Sequence, residues 1–419
     1  MFNLKEAERK YLCNSDFTGF WVTSHSAPSE KVRVVCGANP RQGLNCNIIS
    51  SKKGSVSGSS TMEPQDADYD VPQLIDDVED LILARVPRSE YGKFSVVNKR
   101  FLSLLKSGEL FKIRKVLGFK EPSVFVLTSK ETSWWSFDRE FKSARMLPIL
   151  PSSDPCFLQG DKESLCAGTH LLVLGNEVFG PVVWRYDLAS NQWSKAPSMI
   201  NSRCMFASAT CSNLGYVAGG IGIDTCRGIR ILNSAEKYNP ESGLWESLPD
   251  MHRKRKSCSG CFMDNKFFVI GGINNEGNLA CGEAFDLEKK TWELIPNMLE
   301  NVPVLEAQSP PLVAVANNEL YYLEASTNKL LAYLKKDKSW KNLGGVPVRA
   351  DSTRGWGVAF KSLGNELLVI GASMKKKRQS MTVYTCCPDP EATELQWKRL
   401  KCGPNGLSNF IKNCSVMIA

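Results

Sequence analysis

Histidine is the scarcest chemically useful residue in this chain: 419 residues contain three, His25, His170 and His252, far apart in sequence. Zinc and copper centres and most acid–base enzymes draw on clustered imidazoles, so both classes start disfavoured. No run approaches the ~20 consecutive apolar residues that cross a bilayer. The first ten residues carry charges instead of an apolar leader core, so neither secretion nor membrane insertion is expected. Nucleophile-elbow, phosphate-loop and zinc-hydrolase motifs are all missing. Fifteen cysteines are present, but without a secretory signal they read as reduced thiols of the nucleus or cytoplasm. Cys258-Ser259-Gly260-Cys261 has metal or redox spacing but no second pair to complete a site, and it falls in an apolar stretch where thiols act as small fillers. Cys386 and Cys387 are adjacent and cannot form an ordinary disulfide without distortion. No metal or cofactor is expected.

The chain has a formal charge of +8, but the excess is diluted: residues 1–66 carry +2, 67–120 carry +2 and 121–419 carry +4. That is no nucleic-acid signature. Residues 1–66 end in the polar run Ser50-Ser51-Lys52-Lys53-Gly54-Ser55, too poor in apolar side chains to offset the entropy of ordering, and are expected to form a disordered tail or linker.

Between residues 70 and 118 apolar residues recur at helical spacing: Leu74, Ile75, Val78 and Ile82, then Tyr91, Phe94, Val97 and Phe101, then Leu104, Leu105, Leu110 and Phe111. Asp76, Asp77, Glu79 and Asp80 crowd the start of the first helix, where carboxylates favour the positive end of its dipole, and Pro87 ends it. Fewer than 50 residues make a meagre core, so the module should lean on a neighbour or a partner. In order as well as spacing it resembles an F-box. Ile75 stands where that family usually has Pro, and Asn98 where Cys or Ser is common. The resemblance implies docking of a Skp-type adaptor, and through it a cullin and a RING subunit. It would place Leu74, Ile75, Val78, Ile82, Leu83, Val97 and Phe101 in the adaptor contact or in the small core behind it.

From residue 121 the pattern changes to short β-rich runs, and tryptophans recur at 193, 245, 292, 340 and 397, the spacing that four strands and four turns require. An aromatic stands seven residues before four of them: Tyr186 before Trp193, Tyr238 before Trp245, Phe285 before Trp292 and Tyr333 before Trp340. An odd separation fits two strands flanking a tight turn. Phe137 and Ala144 keep the same register, giving six repeats. The pairs Gly219-Gly220 and Gly271-Gly272 close the second strands, where crowding or positive φ excludes a side chain. With the aromatic and Trp positions they resemble kelch repeats. Residues 412–419 look like a first strand without a successor and 123–127 like a second strand without a predecessor, so the two should pair and close the ring over 121–419.

The expected fold class is therefore mainly β, a six-bladed kelch-type β-propeller preceded by a small all-α F-box. Two basic runs, Arg253-Lys254-Arg255-Lys256 and Lys375-Lys376-Lys377-Arg378, fall in loops joining strand four to the next strand one and strand two to strand three. In an up-and-down blade both loop classes emerge on one face, as would Arg203, Arg227, Arg230, Arg349 and Arg354. Glu276, Glu300, Glu306 and Glu324 fall in equivalent loops, which makes the face bipolar. It is the face expected to bind a target protein with an acidic or phosphorylated segment, unless the runs serve only nuclear import. By resemblance the chain is a non-catalytic substrate receptor of an SCF ubiquitin ligase. A kelch scaffold without a ligase role and a propeller enzyme remain as alternatives.

Overall fold

The computed structural model describes residues 76–419 apart from 130, 155–156, 158–162, 178–179, 225–227, 301, 303–308, 350–354, 374–379, 393 and 403–405. Leu74 and Ile75 lie outside the described residues, as do the tail 1–66, Arg227, Glu306, Arg354, Lys375, Lys376, Lys377 and Arg378.

Among the described residues four α-helices come first: α1 (Asp76–Arg85), α2 (Tyr91–Phe94), α3 (Lys99–Ser107) and α4 (Glu109–Leu117). Asn98 caps α3 by accepting a hydrogen bond from Phe101 N at 2.7 Å. Gly108, at φ 74°, turns the chain from α3 into α4 in the left-handed region. The acidic start of α1 has a partner besides its own dipole, because Arg100 pairs with Asp76, Glu79 and Asp80 and ties α3 to α1. Only Leu83, Ala84 and Leu110 are fully buried in this module's core, with Tyr91, Phe94, Phe101 and Leu105 packed around them.

The other described residues build six antiparallel blades of four strands each, the sixth extended by the short strand Val348–Arg349, together with a three-stranded and a two-stranded ribbon in the loops. The first holds β1 (Pro122–Thr128), β2 (Trp135–Phe137) and β3 (Ala144–Met146). The second holds β4 (Glu163–Ala167), β5 (His170–Glu177), β6 (Gly180–Asp187) and β7 (Gln192–Ala196). The third holds β8 (Ala207–Cys211), β9 (Leu214–Ala218), β10 (Ala235–Asn239) and β11 (Leu244–Leu248). The fourth holds β12 (Ser259–Met263), β13 (Lys266–Ile270), β14 (Gly282–Asp286) and β15 (Thr291–Ile295). The fifth holds β16 (Leu312–Ala316), β17 (Glu319–Glu324), β18 (Lys329–Leu334) and β19 (Ser339–Gly345). The sixth holds β20 (Ala359–Leu363), β21 (Glu366–Ser373), β22 (Thr382–Cys386) and β23 (Lys398–Leu400). The final strand, β24 (Ile411–Ile418), returns to pair with β1 from Pro122 opposite Ile418 to Thr128 opposite Ile411, and so completes the first sheet. The innermost strands β24, β4, β8, β12, β16 and β20 touch in turn around a closed ring.

Local chemistry explains each blade. Second strands are apolar on both faces, as in Phe267-Phe268-Val269-Ile270 and Leu367-Leu368-Val369-Ile370, because each blade is sandwiched between two others. The turns Asp264-Asn265 and Asn317-Asn318 hold both residues at φ 50–60°, the conformation of tight two-residue hairpins. The seven-residue ruler is a cross-strand pair: Tyr186 opposes Trp193, Tyr238 opposes Trp245, Phe285 opposes Trp292 and Tyr333 opposes Trp340. Phe137 opposes Ala144 in the same register. Each indole also reaches out of its own blade, since Trp193, Trp245 and Trp292 donate Nε1–H to the carbonyls of Pro148, Pro197 and Pro249 at 2.8, 3.1 and 2.7 Å. Pro148, Pro197 and Pro249 thus mark where the next blade is stapled on, and after the fourth blade Met298 takes that place, accepting from Trp340 Nε1 at 2.7 Å. The core is distributed accordingly, with one cluster of buried side chains at each of the six blade–blade seams.

Two tests follow from this packing. Deleting residues 411–419 removes the inner strand of the first blade and bares the edge of β1, so heating should give aggregation or a broad transition in place of cooperative melting. A truncated chain with an unchanged transition would disprove closure by this strand. The second concerns Glu163 at the start of β4, whose carboxylate accepts from Phe206 N at 3.1 Å across the seam between blades two and three. Although part of its surface is exposed, the carboxyl lies deep among protein atoms, and burial pushes its pKa up to about 8. A folded-state pKa above the unfolded one means that the folded protein holds the proton more tightly, so stability should fall as pH rises from about 5 to 8. Glu163→Gln should flatten that decline in a pH series of melting curves.

Candidate functional site

Two surfaces stand out, and the helical one is built from the helix period. On α1, Leu83 and Ala84 face inward while Val78, Leu81 and Ile82 form the opposite stripe and are 41%, 39% and 49% exposed. A helix that is apolar on both sides is ordinarily buried on both. Val96 and Val97, in the turn before α3, are 83% and 63% exposed, and Arg100 holds that turn beside the acidic start of α1. Of the residues singled out from the sequence, Val78, Ile82 and Val97 are thus solvent-facing. Leu83 lies in the small core, and Phe101 packs against it, edge-to-face with Phe94 at 6.2 Å.

The module is bolted to the propeller. Arg114, 3% exposed, donates to the carbonyls of Ala84 and Val86 at 2.9 and 3.0 Å and pairs with Glu121 at 3.2 Å. Arg88 pairs with the same carboxylate at 3.2 Å and also donates to Ser123 Oγ at 3.2 Å and to the carbonyl oxygen of Ala419 at 2.9 Å. Burial lowers the Arg88 pKa to about 10, still far above neutrality. Phe111 of α4 packs into the seam between blades one and two. Lys115 meets Glu241 of the third blade at 2.6 Å, an exposed pair of little energetic consequence.

The second surface is the propeller face that carries the four-to-one and two-to-three loops. Arg230, Arg253, Lys254 and Arg349 are exposed there, and Lys256 is half-buried with its backbone bridged to Ile273. Arg203 and Arg255 do not belong to this surface, contrary to the sequence reading. Both guanidinium groups are wholly buried. Arg203 donates to the carbonyls of Gly219 and Ser234 and pairs with Glu236, while Arg255 donates to those of Gly271 and Cys281 and pairs with Glu283 at 2.7 Å. The diglycines create the space: a Cβ on Gly219 would sit 2.6 Å from Arg255 O, and one on Gly272 would sit 2.7 Å from Lys256 O. Glu324 is likewise buried, its carboxylate accepting from Ser326 and Thr327, so it is no part of an acidic sector. Cys258 and Cys261 are buried, and burial pushes their thiols up to about 11 and 12, which makes them poor nucleophiles.

Glu236 and Glu283 were overlooked in the sequence, although a signal existed. Each stands two residues before the blade aromatic, and each partner Arg stands sixteen residues before the diglycine. Their carboxylates do more than neutralise arginine. Glu236 accepts from Ile200 N and Asn201 N at 2.8 and 2.9 Å, and Glu283 from His252 N and Arg253 N at 2.7 and 3.1 Å. Two loop tips on the exposed face are therefore pinned from below by equivalent buried ion pairs.

A polar cleft of about 350 Å³ opens at the opposite face between blades two and three, lined by His170, Arg185, Asp187, Ser194 and Glu241. Its titratable groups are engaged in shaping turns: His170 Nδ1 lies 3.1 Å from Tyr238 Oη, and Asp187 accepts from Thr169 Oγ1 and Ser190 Oγ at 2.8 Å each. Among the described residues no group of three His, Cys, Asp or Glu side chains is placed to hold a metal ion.

Comparison with known proteins agrees with this architecture. The family model described as "Kelch motif" matches residues 202–252 and 254–299, the blades that carry both diglycines. An F-box/kelch-repeat protein of Arabidopsis thaliana is 50% identical over 369 residues, covering 86% of this chain and 87% of its own length. A second from the same plant is 37% identical over 88% of this chain and 86% of its own. F-box/kelch-repeat protein SKIP11, also of Arabidopsis, is 39% identical over 80% of this chain and 72% of its own. Among solved structures, that of YjhT superposes with a TM-score of 0.50 at 12% identity, over 66% of this chain and 94% of that one, a likeness of fold alone.

The buried ion pairs yield a stability test. Arg255→Met takes the guanidinium from the buried Glu283, leaving it only the loop amides and the His252 imidazole at 2.9 Å, and should cost about 3–5 kcal/mol in chemical denaturation. The double variant Arg255→Met/Glu283→Gln removes the stranded charge, keeps an acceptor for the loop amides, and should recover a large part of that loss. Equal destabilisation of both variants would show that the pair is incidental.

Proposed function

The chain belongs to the F-box/kelch-repeat family, and from that premise we propose that it is a substrate receptor of an SCF ubiquitin ligase. The helical module docks a Skp-type adaptor, which brings the cullin and the RING subunit. The propeller holds a target protein on its loop-bearing face. Ubiquitin transfer is then accelerated by proximity, since a tethered target presents its lysines to the recruited conjugating enzyme at high effective concentration. The chain contributes no bond chemistry of its own in this reading, and it acts in the nucleus or cytoplasm.

The observation that carries the proposal is the outward stripe of α1. Val78, Leu81 and Ile82 are apolar and uncovered while the other side of the same helix already packs the module's core. A partner that covers the stripe gains on the order of 1.5–3 kcal/mol for each aliphatic side chain it fully buries. The charge of the target site is mixed, with Arg230, Arg253 and Lys254 exposed near one another along the loops of blades three and four, and Glu276 and Glu300 exposed beyond them. The cationic sector supports an acidic or phosphorylated target, because arginine can grip carboxylate or phosphate bidentately.

The deciding experiment is co-purification with a Skp-type adaptor. Val78→Asp combined with Ile82→Asp alters two solvent-facing positions, so the propeller should melt as before while adaptor binding falls at least tenfold. Undiminished binding by that double variant would place the contact elsewhere and remove the observation on which the reading stands.

A further inference from the structure

Among the described residues of the propeller eight large apolar side chains are exposed, and five of them lie on the loop-bearing face, Leu244, Leu294 and Ile418 lying elsewhere. Met146 and Ile149 lie where blade one passes to blade two, Ile200 where blade two passes to blade three, Ile229 on the two-to-three loop of blade three, and Phe410 just ahead of β24. Ile149 is 73% and Ile200 57% exposed. Loops that only need solubility carry polar residues at such positions, and a grouped set of bare aliphatics marks a contact surface.

Position and rigidity sharpen this. The two-to-three loop of blade three is a β-ribbon, Ile221–Asp224 with Gly228–Ile231, and its inner strand pairs with Arg203–Cys204, directly after the loop that carries Ile200. Ile229 therefore lies in a three-stranded layer whose far strand, Arg203–Cys204, begins three residues after Ile200. Both are held in place. The backbone of Ile200 is fastened to the buried Glu236, and the ribbon rests on the strand that begins with the buried Arg203. The cationic residues continue the same path: Arg230 is the neighbour of Ile229, and Arg253, fastened to Glu283, stands on the next four-to-one loop with Lys254. Around the ring the order runs apolar over blades one to three, mainly cationic at blades three to four with Asp250 among the arginines and lysine, acidic at Glu276 and Glu300, then cationic again at Arg349.

Resting on the receptor reading, we propose that this face recognises a protein segment that sets an aliphatic or aromatic side chain over Ile200 and Ile229 and follows it with carboxylates that meet Arg230, Arg253 and Lys254. The apolar contact supplies the anchor. The charges set its direction, because the reversed segment would bring its carboxylates toward Ile149 and waste the cationic sector. The pinned loops keep the ordering cost of binding low.

Selection of a random dodecapeptide library displayed on phage against the full chain tests this without a known target. The wild type should enrich peptides with an apolar residue on one fixed side of an Asp/Glu cluster. Ile200→Ser/Ile229→Ser should lose the apolar preference, Arg253→Glu/Lys254→Glu the acidic one, and each pair should lower the affinity of a winning peptide at least tenfold. Acidic peptides without an apolar requirement, enrichment unchanged in the isoleucine variant, or no enrichment at all would overturn the proposal. Adaptor co-purification, run in parallel on the same preparations, reports on the ligase reading separately, since none of these substitutions touches the helical module.

Discussion

The whole arrangement hangs on one antiparallel pair, β24 with β1. Every other blade takes its four strands from one stretch of about 50 residues or fewer, but this one joins residues nearly 300 positions apart. Until it forms, blades one and six each present an open edge and the seam between them has no core. Once it forms, Val124, Val126, Cys414, Val383 and Ile370 share one cluster and the ring becomes a closed stack of six seams. The helical module is fastened at the same place: Arg88 holds Glu121 and Ser123 at the start of the β1 segment and the carbonyl of Ala419 at the far end of β24. Closing the ring and orienting the helices are thus one structural event.

For the proposed receptor role that coupling would set the geometry. Proximity catalysis depends on the vector from the bound target to the recruited enzyme, and a loose joint would spread it over a wide volume. Here the joint combines the buried Arg114 and the half-buried Arg88 on one carboxylate with an aromatic wedge, Phe111, in the seam between blades one and two. The module's own core is too small to define its position, so the propeller does so.

Much of this was legible in the sequence because repetition amplifies weak signals. One aromatic seven residues before one tryptophan means little, but four such pairs at a regular period define strands, turns and blade number together. Phe137 opposite Ala144 shows that the register outlasts loss of the tryptophan itself. What escaped was the direction of individual side chains. Arg253-Lys254-Arg255-Lys256 reads as four equivalent charges, yet Arg255 turns inward because Gly219 and Gly272 leave room beside it and Glu283 waits there. Burial of an ion pair depends on a three-dimensional match between loop, diglycine and third strand, which a local charge count does not contain. Attention to charge also hid the apolar half of the face, since single isoleucines in loops have no periodicity to announce them.

The buried arginine–glutamate pairs reconcile two demands that otherwise conflict. A recognition face needs exposed, irregular loops that tolerate sequence change, whereas affinity and direction need those loops to hold still. Packing cannot fix them, because their tips are in water. In blades three and four the solution is to run the carboxylate of a third-strand residue up to the loop backbone, where it accepts the amides of Ile200 and Asn201 or of His252 and Arg253, while a buried guanidinium neutralises it from within. The main chain is held and the side chains are left free to vary. Any residue with a backbone N–H, that is any but proline, can stand at positions 200 and 253 without disturbing the anchor beneath, so the side chains of this face are free to change while the blade stays the same.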